Sequence, residues 1–389
     1  DRTPDKTFEL YSVPIFPTRK PEIIKGEEIR SNKQAVETGD VLLCKINPRI
    51  NRVWKVSNFT DNENIASTEW IVVRQREITT EYLRYSLMAP YFRNLLQSNV
   101  SGVGGSLTRA KPREVRNYVL PIPPLSEQSR IAAKIAQLFA LLRKVESSTQ
   151  QYAKLQTLLK SKVLDLAMRG KLVEQDPHDE PASVLLEKIK AEKEQLVKEG
   201  KIKKSKSLPP ITDDEKPFDI PDSWEWVRLG DVYHFVDYRG KTPHKISSGI
   251  RLITAKNVRN GYIKLEPEEF ISLEEHKERS TRGLINKGDI FITTEAPMGL
   301  VALNNFDEPI ATAQRLITLQ KVSKYQDSSF AAFQMQSSFF QKELQQKATG
   351  STVKGIKASN LKQVLILIPP LAEQRRTVKK ISQVLKLLK

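Results

Sequence analysis

Lys45-Ile46-Asn47-Pro48-Arg49-Ile50-Asn51-Arg52 sets three cations and two carboxamides around a proline turn, and Lys256, Asn257, Arg259 and Asn260 repeat the mixture in the second half of the chain. Lys and Arg neutralise phosphate and displace its counterions, while Arg and Asn also pair bidentately with base edges. That combination is the chemistry of nucleic-acid recognition. Arg109 and Lys354 extend the set, each just past a small-residue loop, Gly102-Val103-Gly104-Gly105-Ser106 and Gly350-Ser351-Thr352. Singly, such a residue is as readily a solvated surface charge. Recurrence of a glycine-serine loop with nearby cations in two places is better evidence than any one side chain.

Catalytic patterns fare worse. Gly240-Lys241-Thr242 matches the tail of a phosphate-binding loop, but Phe235 stands where its first glycine belongs. No G-x-G-x-x-G follows a strand-like run, and no Asn/Asp-Pro-Pro-aromatic tetrapeptide is present to hold a flipped base. His178, His234, His244 and His276 are scattered without metal-ligand spacing. Asp289 with Glu295 resembles a loose nuclease pair, yet the matching Asp40 has no clear acid partner, so the nuclease reading is disfavoured. The reading is a non-catalytic chain that binds no cofactor or metal of its own.

Bulk composition agrees. A net charge of +17 and a pI near 9.6 point to a polyanionic partner, with double-stranded DNA first. The chain has 389 residues, more than one ordinary domain, and no apolar run long enough to span a membrane. Its single cysteine, Cys44, lies in an apolar run and reads as core, which with the absence of a signal peptide makes the cytoplasm the expected compartment.

These residues must be positioned by something that occurs twice. Pro123-Pro124-Leu125-Ser126-Glu127-Gln128 returns as Pro369-Pro370-Leu371-Ala372-Glu373-Gln374, and the ungapped match extends from Gly104 (Gly350) to Leu142 (Leu388). Gly39-Asp40-Val41 likewise answers Gly288-Asp289-Ile290, and Ile65-Ala66-Ser67-Thr68-Glu69 answers Ile310-Ala311-Thr312-Ala313-Gln314. A period this long means a duplicated domain, not a solenoid. The fold class expected is α/β: two globular domains joined by long antiparallel coiled-coil helices, related by an internal pseudo-two-fold repeat. The segments are 1–122, a first globular domain; 123–206, a central helical spacer and linker; 207–368, a second globular domain; and 369–389, a distal spacer helix.

The expected strands are 39–46, 69–74, 223–229, 249–254, 288–294 and 364–368, with helices at 80–97 (kinked at Pro90), 182–199 and 330–347. Ser126 should cap the long helix, whose stripe Ile131, Ile135, Leu138, Leu142, Val145, Thr149, Tyr152, Gln156, Leu159, Val163, Leu166 keeps four-three spacing and fits one partner helix. Residues 126–168 would form a rod of about 60–65 Å. Lys201 to Lys206 reads as an exposed basic linker. Because the first copy has no counterpart of 224–238, and the second copy's helix stops at Lys389, trimming at both ends is expected.

The duplicated Pro-Pro-Leu-Ser/Ala-Glu-Gln phrase before a heptad helix resembles the specificity subunits of type I restriction–modification systems. Leu166-Ala167-Met168-Arg169-Gly170-Lys171-Leu172-Val173 and Phe218-Asp219-Ile220-Pro221-Asp222-Ser223-Trp224-Glu225-Trp226 add to it. The likeness covers nearly the whole chain. It implies two target recognition domains, each reading half of a bipartite asymmetric DNA site, on an antiparallel helical spacer. It also implies two modification (methyltransferase) subunits carrying S-adenosylmethionine, motor-nuclease restriction subunits using ATP and magnesium, and no catalysis by this chain. The competing expectations are the recognition part of a fused restriction–methylation enzyme, and a coiled-coil adaptor that only joins proteins.

Overall fold

The computed structural model describes residues 3–101, 108–238, 242–281, 283–313, 315–350 and 353–388. The Gly102–Ser106 loop, Gly240-Lys241, and Ser351-Thr352 lie outside them. By internal contacts the chain divides into two units, Asp1–Gln150 and Gln151–Lys389.

In unit 1 the apolar run after Gly39-Asp40 forms β4 (Val41–Cys44), buried at every residue, as a strand without polar alternation must be. It is the centre of a three-stranded antiparallel sheet between β5 (Val53–Lys55) and β7 (Trp70–Val73). A second sheet has the order β2 (Glu22–Lys25), β1 (Thr7–Tyr11), β6 (Glu63–Ser67), β3 (Lys33–Ala35), with β1 and β6 parallel. Tyr11, Trp54 and Trp70 pack edge to face between them, and Cys44 is buried in the same cluster. Helices α1 (Thr80–Met88) and α2 (Pro90–Ser98) cover the other face of β4 through Leu83, Leu87, Phe92 and Leu96. The hairpin β8 (Val100–Ser101) and β9 (Arg109–Ala110) and the short α3 (Pro112–Val115) lead to α4 (Leu125–Met168), one unbroken helix of 44 residues that runs through the boundary between the units.

Unit 2 adds α5 (Ala182–Lys198), then β10 (Glu225–Arg228), α6 (Leu229–Val232) and β11 (Tyr233–Val236). Next come β12 (Ile250–Ile253), the small hairpin β13 (Val258–Arg259) and β14 (Tyr262–Ile263), β15 (Phe270–Ile271) and α7 (Leu273–Ser280). The rest is β16 (Ile290–Thr293), β17 (Val301–Leu303), β18 (Ile310–Thr312), β19 (Leu316–Lys321), α8 (Ser328–Met335), α9 (Ser338–Gln346), α10 (Ala358–Leu361), β20 (Leu365–Ile368) and α11 (Leu371–Leu387). The plan of unit 1 returns: β16 is flanked by β17 and β19, while β12 pairs parallel with β18 and antiparallel with β15.

Two boundaries differ from the sequence expectation. The 330–347 segment is two helices, broken at Ser337, whose extended backbone (φ −70°, ψ 157°) matches that of Ala89 (φ −61°, ψ 146°) between α1 and α2. Pro90 announces the first break in sequence; at the second, the break appears only through the repeat. Ser126 does not cap α4, which begins at Leu125. Instead Pro124 O accepts the amides of Glu127 and Gln128.

Within unit 2, α11 packs on the C-terminal part of α4. Val378, Ile381 and Leu385 meet Val163, Leu164 and Met168, and Gln156 Nε2 donates to Leu388 O at 2.6 Å. Leu388, past the end of α11, meets Gln156, while Val378 and Ile381, earlier in α11, pack among residues 163–168 further along α4, so the pair is antiparallel. Along the middle of α4 the stripe is uncovered: Leu138, Leu142, Val145, Tyr152 and Leu159 are all about half exposed or more.

Candidate nucleic-acid interface

Buried polar residues of the repeat explain how the interface loops are built. Asp40 and Asp289 each close the turn before the central strand, accepting the amides of Glu37 and Asn286 respectively at 2.8 Å. Gly39 and Gly288, at φ of +96° and +86°, supply the backbone that this turn requires. Asp40 also holds Arg74 through both carboxylate oxygens, at 2.8 and 2.7 Å. Burial alone would push its pKa up; the Arg74 guanidinium overrides that and holds it below the usual range. At the matching place Asp289 has Gln320 (2.6 Å) instead of an arginine, and burial, outweighing the nearby charge of Lys321, pushes it up to about 6. The supposed Asp289–Glu295 nuclease pair is therefore accounted for otherwise, since Glu295 is paired with Arg315 at 2.9 Å.

The loop after each central strand is tied down identically. Ile46 bridges Arg109 and Glu295 bridges Gly355, while the amides of Lys45 and Thr294 donate to Glu69 O and Arg315 O. The residue before each loop proline has a left-handed backbone: Asn47 at φ 50° and Ala296 at φ 43°. Asn51 is also left-handed (φ 49°) and its Nδ2 donates to Leu87 O. Asparagine tolerates this conformation better than most residues, so both positions suit the turn.

On this frame the sequence-derived candidates fall into two groups. Lys45, Arg49, Lys256 and Lys354 make no side-chain hydrogen bond or ion pair among the described residues; Arg49, Lys256 and Lys354 are exposed and Lys45 is half-buried. The others are engaged. Arg52 donates to Ile46 O at 3.4 Å, Arg109 pairs with Glu69 through two nitrogens, and Arg259 Nη1 donates to the carbonyls of Lys256 and Val258. Asn47 keeps a buried Oδ1 without a partner. Asn257 is 1% exposed, and its amide is spent on Thr254, Lys264, Leu265 and Pro267. It builds the 254–267 corner from inside, which its place between Lys256 and Arg259 in the sequence concealed. Asn260 Oδ1 accepts the Val301 amide. Lys256 and Arg259 line a cleft of about 520 Å³ with Lys245, Thr254, Pro297 and Arg315. Arg315 was not among the sequence candidates.

The repeated Gln of the Pro-Pro-Leu phrase also has a visible task. Gln128 Oε1 accepts the amide of Thr79, the residue before α1, and its Nε2 donates to Pro123 O. Gln374 does the same with Asp327, before α8, and with Pro369 O. Each long helix is thereby locked to the globular fold whose loops carry the cations.

A family profile described as "Type I restriction modification DNA specificity domain" matches residues 221–389. The chain is 31% identical to the Type I restriction enzyme EcoAI specificity subunit of Escherichia coli, over 94% of this chain and 70% of that protein. The chain belongs to the type I restriction–modification specificity subunits. A second such subunit, EcoEI of Escherichia coli, is 27% identical over the same shares. Two solved structures have this fold at 21% identity, each over 99% of this chain and 85% of the other: a chain of a type I R-M system described for its complex assembly and conformational transition (TM-score 0.67), and the HsdS subunit of Thermoanaerobacter tengcongensis (TM-score 0.57). The function of this specificity subunit is DNA recognition. No helix among the described residues is long and apolar enough to cross a membrane.

Proposed function

We propose that this specificity subunit reads a bipartite, asymmetric DNA site, one half with residues 1–122 and the other with residues 207–368. Residues 123–206 and 369–389 act as the spacer, and the chain itself catalyses nothing. The observation that supports this most is the duplication of one loop frame with unengaged cations beside each copy: Lys45 and Arg49 on the first, and by the second Lys354, next to Gly355, with Lys256 in the cleft that Pro297 also lines. Free cations on a rim neutralise phosphate, while two like frames on one chain suit a split site. The uncovered apolar stripe of α4 supports docking of modification subunits, which would bring S-adenosylmethionine, with motor-nuclease subunits bringing ATP and magnesium.

The test is a domain swap. Residues 1–122 are exchanged with those of a relative of known specificity, and the modified adenines are mapped in DNA from a host that also carries the modification subunit. One half-site changes and the other stays; a change in both halves defeats the two-reader scheme.

A further inference from the structure

In the backbone frame residues 69 and 315 occupy the same place, one residue on from the Glu69–Gln314 match of the sequence repeat, because their carbonyls accept the amides of Lys45 and Thr294 in the same way. The residues are Glu69 and Arg315, opposite in charge. In unit 1 Glu69 holds Arg109; in unit 2 Arg315 is held by Glu295, which sits at the place of Ile46. Both units therefore put one carboxylate-buttressed arginine at the rim of the loop frame, but from different strands of it.

These pairs are poor candidates for stability. The Arg315 and Glu295 side chains are 57% and 42% exposed, and exposed pairs contribute little. Arg315 also carries a left-handed backbone, φ 67°, and so does Ala296 on the facing loop, φ 43°. A non-glycine residue is held there at a cost that its surroundings must offset, and such residues gather at working sites. Arg315 lines the cleft that also holds Lys256, Arg259 and Thr254. Its ion pair runs from Nε to Glu295 Oε1 at 2.9 Å, and its terminal nitrogens make no hydrogen bond among the described residues. A guanidinium whose closest ion-pair contact is through Nε leaves its two-pronged end for a ligand, the geometry that pairs with guanine O6 and N7.

We infer that Arg315 is a specificity-determining residue: buttressed by Glu295, it reads a guanine in the half-site recognised by unit 2. This rests on the DNA-reading function proposed above. The difference in charge at positions 69 and 315 then gives the two readers different base preferences on one frame.

The experiment uses the full chain assembled with its modification subunit and selects duplexes from a randomised library. The wild type must enrich a two-part motif; if it enriches none, the DNA-reading proposal itself fails and this inference with it. With Arg315→Ala, discrimination for guanine at one position should fall roughly ten- to a hundredfold, while the other half-site stays as sharp, which also shows that the variant is folded. Glu295→Gln should weaken the same position by a smaller factor. Lys256→Ala should weaken binding to all sequences alike and reduce the salt slope by about one. An Arg315→Ala variant that enriches the wild-type motif, or that loses affinity uniformly, overturns the inference.

Discussion

Asp40 and Asp289 make the same turn with different neighbours, so they report what one cation does to a buried carboxylate. The folded-state pKa of Asp289 is raised to about 6, so the group is neutral in both states at low pH and costs nothing there. As pH rises from about 4 to about 6 the unfolded chain releases its proton first, and the fold loses roughly 2–3 kcal/mol, a loss complete above that range. Gln320→Arg copies the Arg74 arrangement and should depress the Asp289 pKa. Thermal melts of the variant at pH 5 and pH 7 should then differ less than those of the wild type; an unchanged difference would show that Asp289 is not the source. The glutamines of the repeated phrase make a second residue-scale case. Gln374→Ala leaves the Asp327 amide and Pro369 O without partners and should destabilise unit 2 by about 1–3 kcal/mol, read from denaturant midpoints. Gln128 and Gln374 were visible in sequence only as letters of a repeat; their role needs the distance to residues far away in the chain. Asn257 shows the same limit from the other side. Its type and neighbours pointed outward, and its bonding partners turn it inward.

At the scale of elements, most of the plan was legible. The strands after each Gly-Asp, the helix break at Pro90 and the unbroken run to Met168 follow from local rules: apolar continuity, proline geometry and four-three spacing. What local rules do not give is which part of a periodic stripe finds a partner. Leu142, on that stripe, is 50% exposed, whereas Leu164, one residue past the stripe's Val163, is 2% exposed. The difference lies in α11, whose Ile381 is 0% exposed among Leu164, Met168, Trp224 and Phe330. Truncating Ile381 to Ala opens a cavity in a filled core and should cost about 2–4 kcal/mol in chemical denaturation. Leu142→Ala should change the stability of the isolated chain by less than about 0.5 kcal/mol. If the exposed stripe is where modification subunits dock, Leu142→Ala should instead weaken assembly in a titration with that subunit. A variant neutral in both measurements would remove Leu142 from the docking face.

For the whole molecule, the question is what a single helix passing from one unit into the other does. An unbroken α4 transmits length and rotation together, so the two can be separated only by the size of an insertion. Seven residues placed after Ser148, clear of the Gln156–Leu388 contact, add about 10 Å and turn the helix by only about 20° from its original face. At about 3.4 Å per base pair along DNA, that length corresponds to roughly three base pairs. If α4 sets the gap between half-sites, the insertion variant should modify adenines in the same two half-sites with a gap longer by about three base pairs. A four-residue insertion adds about 6 Å but rotates the face by about 40°, so it should lengthen the gap less and lose more activity. Mapping modified adenines in DNA from cells carrying each variant, together with the modification subunit, reads both outcomes. Half-sites kept at the wild-type spacing in the seven-residue variant would mean that the spacing is set outside α4. The DNA-contacting loops would then have to tolerate displacement, and the rigid-spacer role assigned to residues 123–206 would fall while the two separate readers stood.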